Sequence, residues 1–342
     1  MNVSQLKSRK ARLNAFLDIF QHDDRVVVVI DPDPDAIGSA WGIKRLLWRH
    51  VACTTIVAIR PIRRLNNISL VRLLRIPIEY LDEDGDSEEF INLEKFTKRI
   101  LVDGQPYHND IFRRIDFDVV IDHHPIPEKS NIFRNSMAFI DIRPSYGSTS
   151  TILTEYLRAA QIKPSASLAT ALLYGIKTDT RNFERHTVEE DIRAFLYLYP
   201  LANHNVLTKI EISDISLRDL EFFEEALRRR IVAKNKILTY VGRVDSPDIL
   251  VVISEFFLKV YDISWSIAAG ISDSTLVVVA RSDGYRKNAG KALERSFASL
   301  GSAGGHAAMA RAEVPIDKLL KHMGKLRLNR RTVENFLIKH LL

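Results

Sequence analysis

Residues 26–40, VVVVIDPDPDAIGSA, place an apolar run directly before a row of acidic residues. The run VVVVI is typical of a strand that is buried on both faces of a sheet. Asp31, Asp33 and Asp35 follow it at every second position, and IGSAWGIKRLLWRH at 37–50 then reads as a helix. The stretch therefore predicts a strand and a helix with carboxylates at the turn between them.

The same alternation continues through the first half of the chain. Further strands are expected at 54–59 (TTIVAI), 98–103 (KRILVD), 117–122 (FDVVID) and 139–142 (FIDI), and helices at RRLNNISLVRLLRI, STSTILTEYLRAA and SASLATALLYGI. Repeated alternation of strands and helices is typical of a parallel sheet. The sequence therefore predicts an α/β fold, in which the N-terminal domain has a parallel sheet with helices on both faces.

The second half of the chain predicts a linker and a smaller domain. Residues 187–240 look mostly helical, and SLRDLEFFEEALRRRIVAKNKI reads as a charged linker helix. Strand-rich segments then run through ILTYVGRV, DILVVISEFF and STLVVVARS, and the helix NAGKALERSFASL leads to the glycine stretch GSAGGHAAMARAEV. We therefore expect a first domain at 1–200, a helical linker at 201–240 and a smaller α/β domain at 241–342.

Composition indicates the type of binding partner and the cellular compartment of the protein. The 342 residues are 46% hydrophobic and carry a formal net charge of +6, which suits a polyanionic partner such as a nucleotide. The single cysteine, Cys53, excludes an intramolecular disulfide and indicates a reducing compartment. We find neither a signal peptide nor an apolar run that would span a membrane, so we expect a cytoplasmic protein. The acidic run at 82–89 reads as a solvated loop.

Acidic and histidine side chains gather where the predicted strands end. The set comprises Asp31, Asp33, Asp35, Asp103, Asp122, His123 and His124, and Asp179 could reach the same edge from a helix. Open α/β sheets bind ligands outside the carboxyl ends of their strands. Several carboxylates with one or two imidazoles suit Mn²⁺ or Mg²⁺, and a pair of such ions about 3.5–4 Å apart hydrolyses phosphate esters. Taken singly, each aspartate could instead form a turn or cap a helix.

These residues resemble the DHH phosphoesterase superfamily, and the resemblance spans nearly the whole chain. Its motifs occur in family order: PDPDAIGSA, the aspartate of LVDGQP, the triplet of VIDHHP, the aspartate of GIKTDT, and GSAGGHAAMARAEV, which is similar to the glycine-histidine motif of the DHHA1 domain. The resemblance implies two metal sites. Asp35, Asp103, His123 and Asp179 would hold one ion, while a family histidine, Asp33 and the shared Asp103 would hold the other.

One family position departs from the pattern. The family histidine stands four residues before the first aspartate of the D-x-D motif, and this position is Val29 here. Since residues i and i+2 share a face of a strand, Asp31 lies on the side of Val29 and could supply the missing ligand. The alternative is that this metal site is weak or fills only together with substrate.

The resemblance also implies roles beside the metal ions. Asp122 would orient His123, because a ligating imidazole usually donates its other N–H to a carboxylate or carbonyl group. His124 would face the scissile phosphate as a charge stabiliser or as a proton donor to the leaving oxygen. The attacking group would be a hydroxide activated by two metal ions.

The glycine stretch predicts where the second domain binds substrate. Gly304 and Gly305 would let a phosphate approach the backbone, with N–H groups before a following helix to hold it and His306 adjacent. The family has a further glycine where this chain has Ala303. By resemblance, Arg281 would grip a phosphate group. An unspecific glycine loop and a solvated arginine are the alternative interpretations.

The DHHA1-type ending most resembles the short, soluble family members that degrade nano-RNA and dephosphorylate 3′-phosphoadenosine 5′-phosphate. We therefore expect a phosphoesterase that hydrolyses short oligonucleotides, dinucleotides or nucleoside bisphosphates. It would use two Mn²⁺ ions, or Mg²⁺ or another divalent ion in their place. A homodimer would be unsurprising for this family. The alternative is a nucleotide-binding regulator with an incomplete metal site and little turnover.

Overall fold

The computed structural model describes residues 8–81, 92–126, 137–283 and 288–342. The acidic run at 82–89 therefore lies outside the described residues. The chain divides into two compact units, Met1–Ser213 and Asp214–Leu342. Among the helices of the four described ranges, none combines the length and the apolar character that crossing a bilayer requires.

The first unit is built on a six-stranded sheet whose neighbouring strands run parallel. Its strands are β1 (Arg25–Ile30), β2 (Cys53–Ala58), β3 (Ile78–Tyr80), β4 (Lys98–Val102), β5 (Val119–Asp122) and β6 (Phe139–Ile142). Its helices are α1 (Arg9–Leu17), α2 (Pro34–Leu46), α3 (Leu65–Leu74), α4 (Asp110–Arg113), α5 (Thr149–Ala159), α6 (Ala166–Asp179), α7 (Glu189–Leu198) and α8 (His204–Glu211), with 3₁₀ turns at Leu93–Lys95 and Tyr199–Leu201. The predicted α/β fold with a parallel sheet is confirmed.

The apolar residues of β1 explain its central position in this sheet. Val26, Val28 and Ile30 pack into one fully buried cluster, and Val27 and Val29 pack into a second cluster. The strand order is β3-β2-β1-β4-β5-β6, so the direction of winding reverses between β1 and β4. Ligand crevices form at such reversals, outside the carboxyl ends of the strands. The aspartates that follow β1 and β4 are therefore placed at this crevice.

The second unit contains another six-stranded sheet, with the order β11-β12-β10-β9-β8-β7. Its strands are β7 (Ile231–Ala233), β8 (Lys236–Arg243), β9 (Trp265–Ser272), β10 (Thr275–Ser282), β11 (Ser302–Gly305) and β12 (Met309–Pro315). Its helices are α9 (Asp219–Arg228), α10 (Asp248–Leu258), α11 (Ala289–Phe297), α12 (Ile316–Met323) and α13 (Arg330–Leu341). Strands β8 and β9 are parallel and the other pairs are antiparallel. The prediction of a smaller α/β domain is confirmed.

The segment DILVVISEFF was predicted to be part of a strand-rich region, and this is wrong. It forms helix α10, in which Ile249, Leu250, Ile253 and Phe257 are buried. These four residues recur at helical spacing and cover one face of the helix. A short apolar run does not by itself distinguish a buried strand from a buried helix, so the sequence pattern was compatible with both.

The charged segment predicted as one linker helix is divided in the structure. Helix α9 ends at Arg228, and β7 then pairs with β8 as an antiparallel hairpin. Lys234 has a φ of +55°, so it forms part of the hairpin turn. On either side of the boundary, Leu207 of α8 packs in the core of the first unit and Ala226 of α9 packs in the core of the second unit.

Candidate metal centre

Four side chains of the metal-ligating type meet at the crevice between β1 and β4. One oxygen or nitrogen atom from each of Asp35, Asp103, His123 and Asp179 lies within 4.8 Å of the others. Asp35 is in the first turn of α2, and Asp103 follows β4. His123 follows β5, and Asp179 is the last residue of α6. The structure thus brings together the four residues that were predicted to hold one ion.

Asp35 is held in place by the start of α5. Its carboxylate is buried, Oδ2 accepts a hydrogen bond from the Thr149 N–H (2.6 Å), and Oδ1 accepts one from the Ser150 N–H (2.7 Å). The first N–H groups of a helix have no partner within the helix, and the helix dipole favours an anion there. Helix α6 approaches closely, since a Cβ at Gly175 would lie 2.9 Å from Asp35 Oδ1. These contacts give the carboxylate one orientation.

His123 directs a free nitrogen at two carboxylates. Its Nδ1–H donates to the Tyr146 carbonyl oxygen (3.2 Å), so Nε2 carries the lone pair whenever the ring is neutral. Nε2 lies 3.0 Å from Asp179 Oδ2 and 3.6 Å from Asp103 Oδ1. It is buried and makes no well-aligned hydrogen bond with any described residue. A ligating imidazole has this arrangement, so the cluster fits a divalent cation, and three carboxylates favour Mn²⁺ or Mg²⁺.

Crowded carboxylates in this centre hold protons more tightly than usual. Burial raises the pKa of Asp35 to about 6, and the charge of Asp179 adds to this effect. Burial and the neighbouring Asp35 raise the pKa of Asp103 well above its usual value. For His123, burial opposes the charged form, but the nearby Asp179 carboxylate and the charge of Asp35 outweigh it and raise the pKa to about 9. Without a cation the ring is therefore charged at neutral pH, and a bound cation would take the place of the Nε2 proton. A bound cation would relieve the repulsion among these carboxylates.

Asp35 should make the stability of the metal-free protein fall as the pH rises. Its pKa is about 6 in the folded chain, against a usual value of 3.8, so the folded state binds the proton more tightly. The resulting stabilisation is complete below pH ~4 and is lost as the pH rises through ~6. We therefore expect the unfolding free energy of wild type, relative to Asp35→Asn, to decrease over this range in urea denaturation. Saturating Mn²⁺ should reverse the loss, and a relative increase without metal would contradict the assignment.

Asp122 pairs with His124, which corrects the prediction that it orients His123. Asp122 Oδ1 accepts a hydrogen bond from His124 Nδ1–H at 2.8 Å, while the Tyr146 carbonyl holds His123. Burial alone would raise the pKa of Asp122, but the bond from His124 lowers it below its usual value. The same bond raises the pKa of His124, whose side chain is 42% exposed. His124 therefore keeps Nε2 available for a ligand.

The residues connected with the absent family histidine have other partners. Val29 is fully buried in an apolar cluster. Asp31 Oδ1 lies 2.6 Å from Arg60 Nε, and Asp31 does not belong to the described groups of ligand atoms. Asp33 caps the first turn of α2, where its Oδ1 accepts a hydrogen bond from the Ala36 N–H (2.9 Å). Burial of the carboxylate and the negative charge of Asp179 raise the pKa of Asp33. Because Asp33 is exposed at the surface, the repulsion from Asp179 is the more important of these two causes.

The predicted substrate residues of the second unit lie around one turn. Arg281 of β10 forms an ion pair with Glu255 of α10 and stands opposite Met309 of β12. Gly304 and Gly305 belong to β11, and His306 begins the turn into β12. The prediction that a helix follows the glycines is therefore wrong, because the segment MARAEVP pairs with both β11 and β10.

The start of α11 makes hydrogen bonds to this turn. The Ala289 N–H donates to the Ala307 carbonyl (2.9 Å), and the Gly290 N–H donates to the His306 carbonyl (3.0 Å). The backbones approach so closely that a Cβ at Gly290 would lie 2.2 Å from the Gly305 oxygen. Gly305 itself has a φ of +138°, so both its conformation and its packing require glycine. Gly304 has open space where a Cβ would stand, which leaves room for a ligand.

Sequence reasoning missed the residues that hold the metal centre together. Thr149 donates its N–H to Asp35 and its Oγ1–H to Asp103 Oδ1 (2.8 Å), so one residue at the start of α5 joins two carboxylates. The run GSTST gave a usable signal, since serine and threonine are frequent at helix starts and Ser148 caps α5. Tyr146 contributes its backbone carbonyl to His123, and no side-chain pattern reveals such a contact.

Comparisons with known proteins agree with this geometry. Residues 25–176 match the model described as the DHH family, N-terminal domain. The uncharacterized protein MJ1633 of Methanocaldococcus jannaschii is 32% identical over 292 residues, which are 85% of this chain and 58% of that protein. The probable bifunctional oligoribonuclease and PAP phosphatase NrnA of Streptococcus mutans is 27% identical over 181 residues, which are 53% of this chain and 51% of that protein. The matches thus span little more than half the length of these curated relatives.

A solved structure supports the fold. An exopolyphosphatase-related protein from Bacteroides fragilis aligns with a TM-score of 0.63 and 17% identity, covering 96% of each chain. At this identity the likeness shows the fold alone. The segment that matches the family model contains Asp35, Asp103 and His123, and Asp179 follows three residues after its end. Residues 25–176, which lie within the first unit, therefore carry a DHH family N-terminal domain.

Proposed function

We propose that the protein is a divalent-metal-dependent phosphoesterase that hydrolyses short oligonucleotides, dinucleotides or nucleoside bisphosphates. The observation that carries this proposal is the cluster of Asp35, Asp103, His123 and Asp179, which fits a divalent cation beside a histidine with a free ring nitrogen. The matched relative NrnA is named an oligoribonuclease and PAP phosphatase, which supports the substrate class. We propose Mn²⁺ as the ion and Mg²⁺ as the alternative.

The residues divide the chemical work between them. Asp35, Asp103, His123 and Asp179 would hold one ion, and Asp33 with Asp103 would contribute to a second. When bound, such ions neutralise phosphate charge and activate water. His124 would donate a proton to the leaving oxygen from Nε2, because the bond to Asp122 raises its pKa and favours the doubly protonated ring.

The second unit would bind the substrate. We propose that Arg281 contacts a phosphate group and that Gly304 and His306 contact the nucleotide at the turn between β11 and β12. The open space at Gly304 supports this role, while Gly305 would act by shaping the turn. Arg281 would exchange its ion pair with Glu255 for the substrate phosphate. We further propose a cytoplasmic location for the protein.

The activity is tested by release of mononucleotides from a labelled RNA dinucleotide in the presence of Mn²⁺. A long RNA and 3′-phosphoadenosine 5′-phosphate serve as competing substrate classes, and Asp103→Asn serves as the inactive control. Fast cleavage of the dinucleotide that is lost in the control supports the proposal. Cleavage of the long RNA alone would contradict the short-substrate class.

A nucleotide-binding regulator with one ion and little turnover is the second candidate. The observation that favours it is the first metal site, where Val29 replaces the family histidine and Arg60 already occupies Asp31. Isothermal titration separates the two candidates. Two Mn²⁺ equivalents with turnover support the enzyme, whereas one equivalent with tight nucleotide binding and no turnover supports the regulator.

Arg60→Ala should tighten the second Mn²⁺ equivalent if Asp31 serves as its ligand. The substitution frees the Asp31 carboxylate from an exposed ion pair. We therefore expect the Kd for the second Mn²⁺ equivalent to fall about fivefold, or roughly 1 kcal/mol. The measurement is calorimetric titration of the metal-free protein, with the neighbouring exposed Arg63→Ala as the matched control. The double variant Asp31→Ala/Arg60→Ala should lose the gain. Unchanged affinity in Arg60→Ala would mean that Asp31 is no ligand and that this site depends on substrate.

A further inference from the structure

The loop that follows Asp103 lies against the residues around His124. We call Gln105, Tyr107 and His108 the clasp. Gln105 Nε2 donates to Asp122 Oδ2 (2.6 Å) and to the His124 carbonyl oxygen (2.9 Å). The Tyr107 hydroxyl donates to the Pro125 carbonyl oxygen (3.0 Å). The His108 ring meets the His124 ring edge to face, with centroids 5.2 Å apart. Three side chains of one loop thus contact one short stretch after β5.

Gln105 fixes the carboxylate that His124 depends on. Asp122 uses Oδ1 for the His124 Nδ1–H and Oδ2 for the Gln105 amide. A carboxylate rotates readily about its last torsion unless both of its oxygens are held. Gln105 and Asp122 are both fully buried, so water does not replace this bond. The amide of Gln105 therefore locks the plane of Asp122, and with it the direction of the His124 ring.

His108 provides a second contact to the His124 ring. Its Nδ1 accepts a hydrogen bond from the Gln105 N–H (3.2 Å), which settles its tautomer and its orientation. The His108 ring also packs against the Tyr107 ring, with centroids 4.4 Å apart and planes at 80°. The ring of His124 is therefore bounded by His108 on one side while Asp122 holds its Nδ1.

We infer that Gln105 and His108 are positioning residues for His124, which keep its free Nε2 pointed in one direction. The inference rests on the proposed function in one respect, the role of His124 as proton donor. Partners that orient a functional imidazole are typically worth 10–100-fold in activity or metal affinity. Here the metal ligands are held by other contacts, so the effect should fall on kcat.

The test uses Gln105→Met, which keeps the side-chain length and removes both amide contacts. We expect kcat to fall about 10–100-fold, with KM and the Kd for Mn²⁺ changed less than about twofold. In the metal-free protein, the downfield proton resonance of the His124 Nδ1–H bonded to Asp122, assigned with His124→Gln, should broaden or disappear. His108→Ala should weaken the same resonance and lower kcat about tenfold, and it stands in if Gln105→Met does not fold.

Thr170→Val is the matched control. It also removes a buried polar partner, since Thr170 Oγ1 accepts from the Asn203 N–H (2.8 Å), but it does so on α6, away from the clasp. It should leave the His124 resonance and kcat unchanged. The inference is overturned if the His124 resonance is unchanged in both Gln105→Met and His108→Ala. It is also overturned if Thr170→Val loses as much kcat as a clasp variant that is destabilised to the same extent. If wild type hydrolyses none of the substrates, the proposed function fails, and the resonance still decides whether the clasp positions His124.

Discussion

Asp103→Asn should strongly reduce the proposed hydrolysis and remove detectable Mn²⁺ binding while the first unit stays folded. A carboxylate oxygen of Asp103 lies within 4.8 Å of a ligand atom of each other cluster residue, Thr149 donates to its Oδ1, and His123 Nε2 lies 3.6 Å from it. An asparagine keeps the shape and can still accept from Thr149, but it removes the charge. We expect kcat to fall on the order of 10³-fold, because each ion of the proposed pair would lose the charge of its shared ligand. The rise in melting temperature on adding Mn²⁺ should disappear as well.

The metal-free Asp103→Asn protein should be at least as stable as wild type. In the wild type, burial and the charge of Asp35 raise the pKa of Asp103, so the ionised Asp103 carboxylate opposes folding when no cation is present. Asp110→Asn provides the matched control, because it makes the same change at a carboxylate that is 81% exposed in the following helix. The control should keep full activity. Retention of more than about a tenth of kcat in Asp103→Asn would place the reaction elsewhere.

Arg143→Met should destabilise the first unit by about 3–5 kcal/mol, the usual effect of removing one partner of a buried ion pair. Arg143 donates to both oxygens of Asp141 (2.9 and 2.6 Å) and to Glu155 Oε2 (2.6 Å). All three side chains are nearly inaccessible, at 7%, 3% and 6% exposure. The variant leaves two buried carboxylates, of which Glu155 keeps an ion pair with Arg9. Urea denaturation of the metal-free protein measures the loss.

Arg193→Met is the control for Arg143→Met. It removes an exposed ion pair with Glu189, whose side chains are 54% and 69% exposed, so the change should stay below ~0.5 kcal/mol. Arg143 also lies over the Tyr146 ring, at 5.1 Å from its centroid, and the Tyr146 carbonyl orients His123. We therefore expect weaker Mn²⁺ binding in Arg143→Met. A loss of less than about 1 kcal/mol would mean that water reaches the two carboxylates.

The edge of the sheet that carries the candidate metal centre was predictable because its signals are local. A run such as VVVVI is typical of a strand that is buried on both faces of the sheet. An aspartate that directly follows a strand must lie at the carboxyl end of that strand. Asp35, Asp103 and His123 follow three strands that turn out to be neighbours in the sheet. The order of the motifs along the chain then supplied Asp179, which comes from a helix.

The partners of these residues were not predictable in the same way. His123 and His124 are adjacent in sequence, and only the folded loop shows that one ring meets the Tyr146 carbonyl and the other meets Asp122. The contact of Gln105 with Asp122 depends on the position of β4 beside β5. Helix α10 was misread because its apolar residues form a continuous run, in which a period of two and a period of 3.6 residues look alike.

Two backbone amides at the start of α5 should respond to a cation bound at the candidate metal centre. The amides of Thr149 and Ser150 are bonded to Asp35, yet neither amide is itself a ligand. When a cation draws electron density from this carboxylate, both hydrogen bonds must weaken. The NMR signals of these two amides should therefore report whether a cation is bound at Asp35. This measurement needs no substrate, no turnover and no added probe.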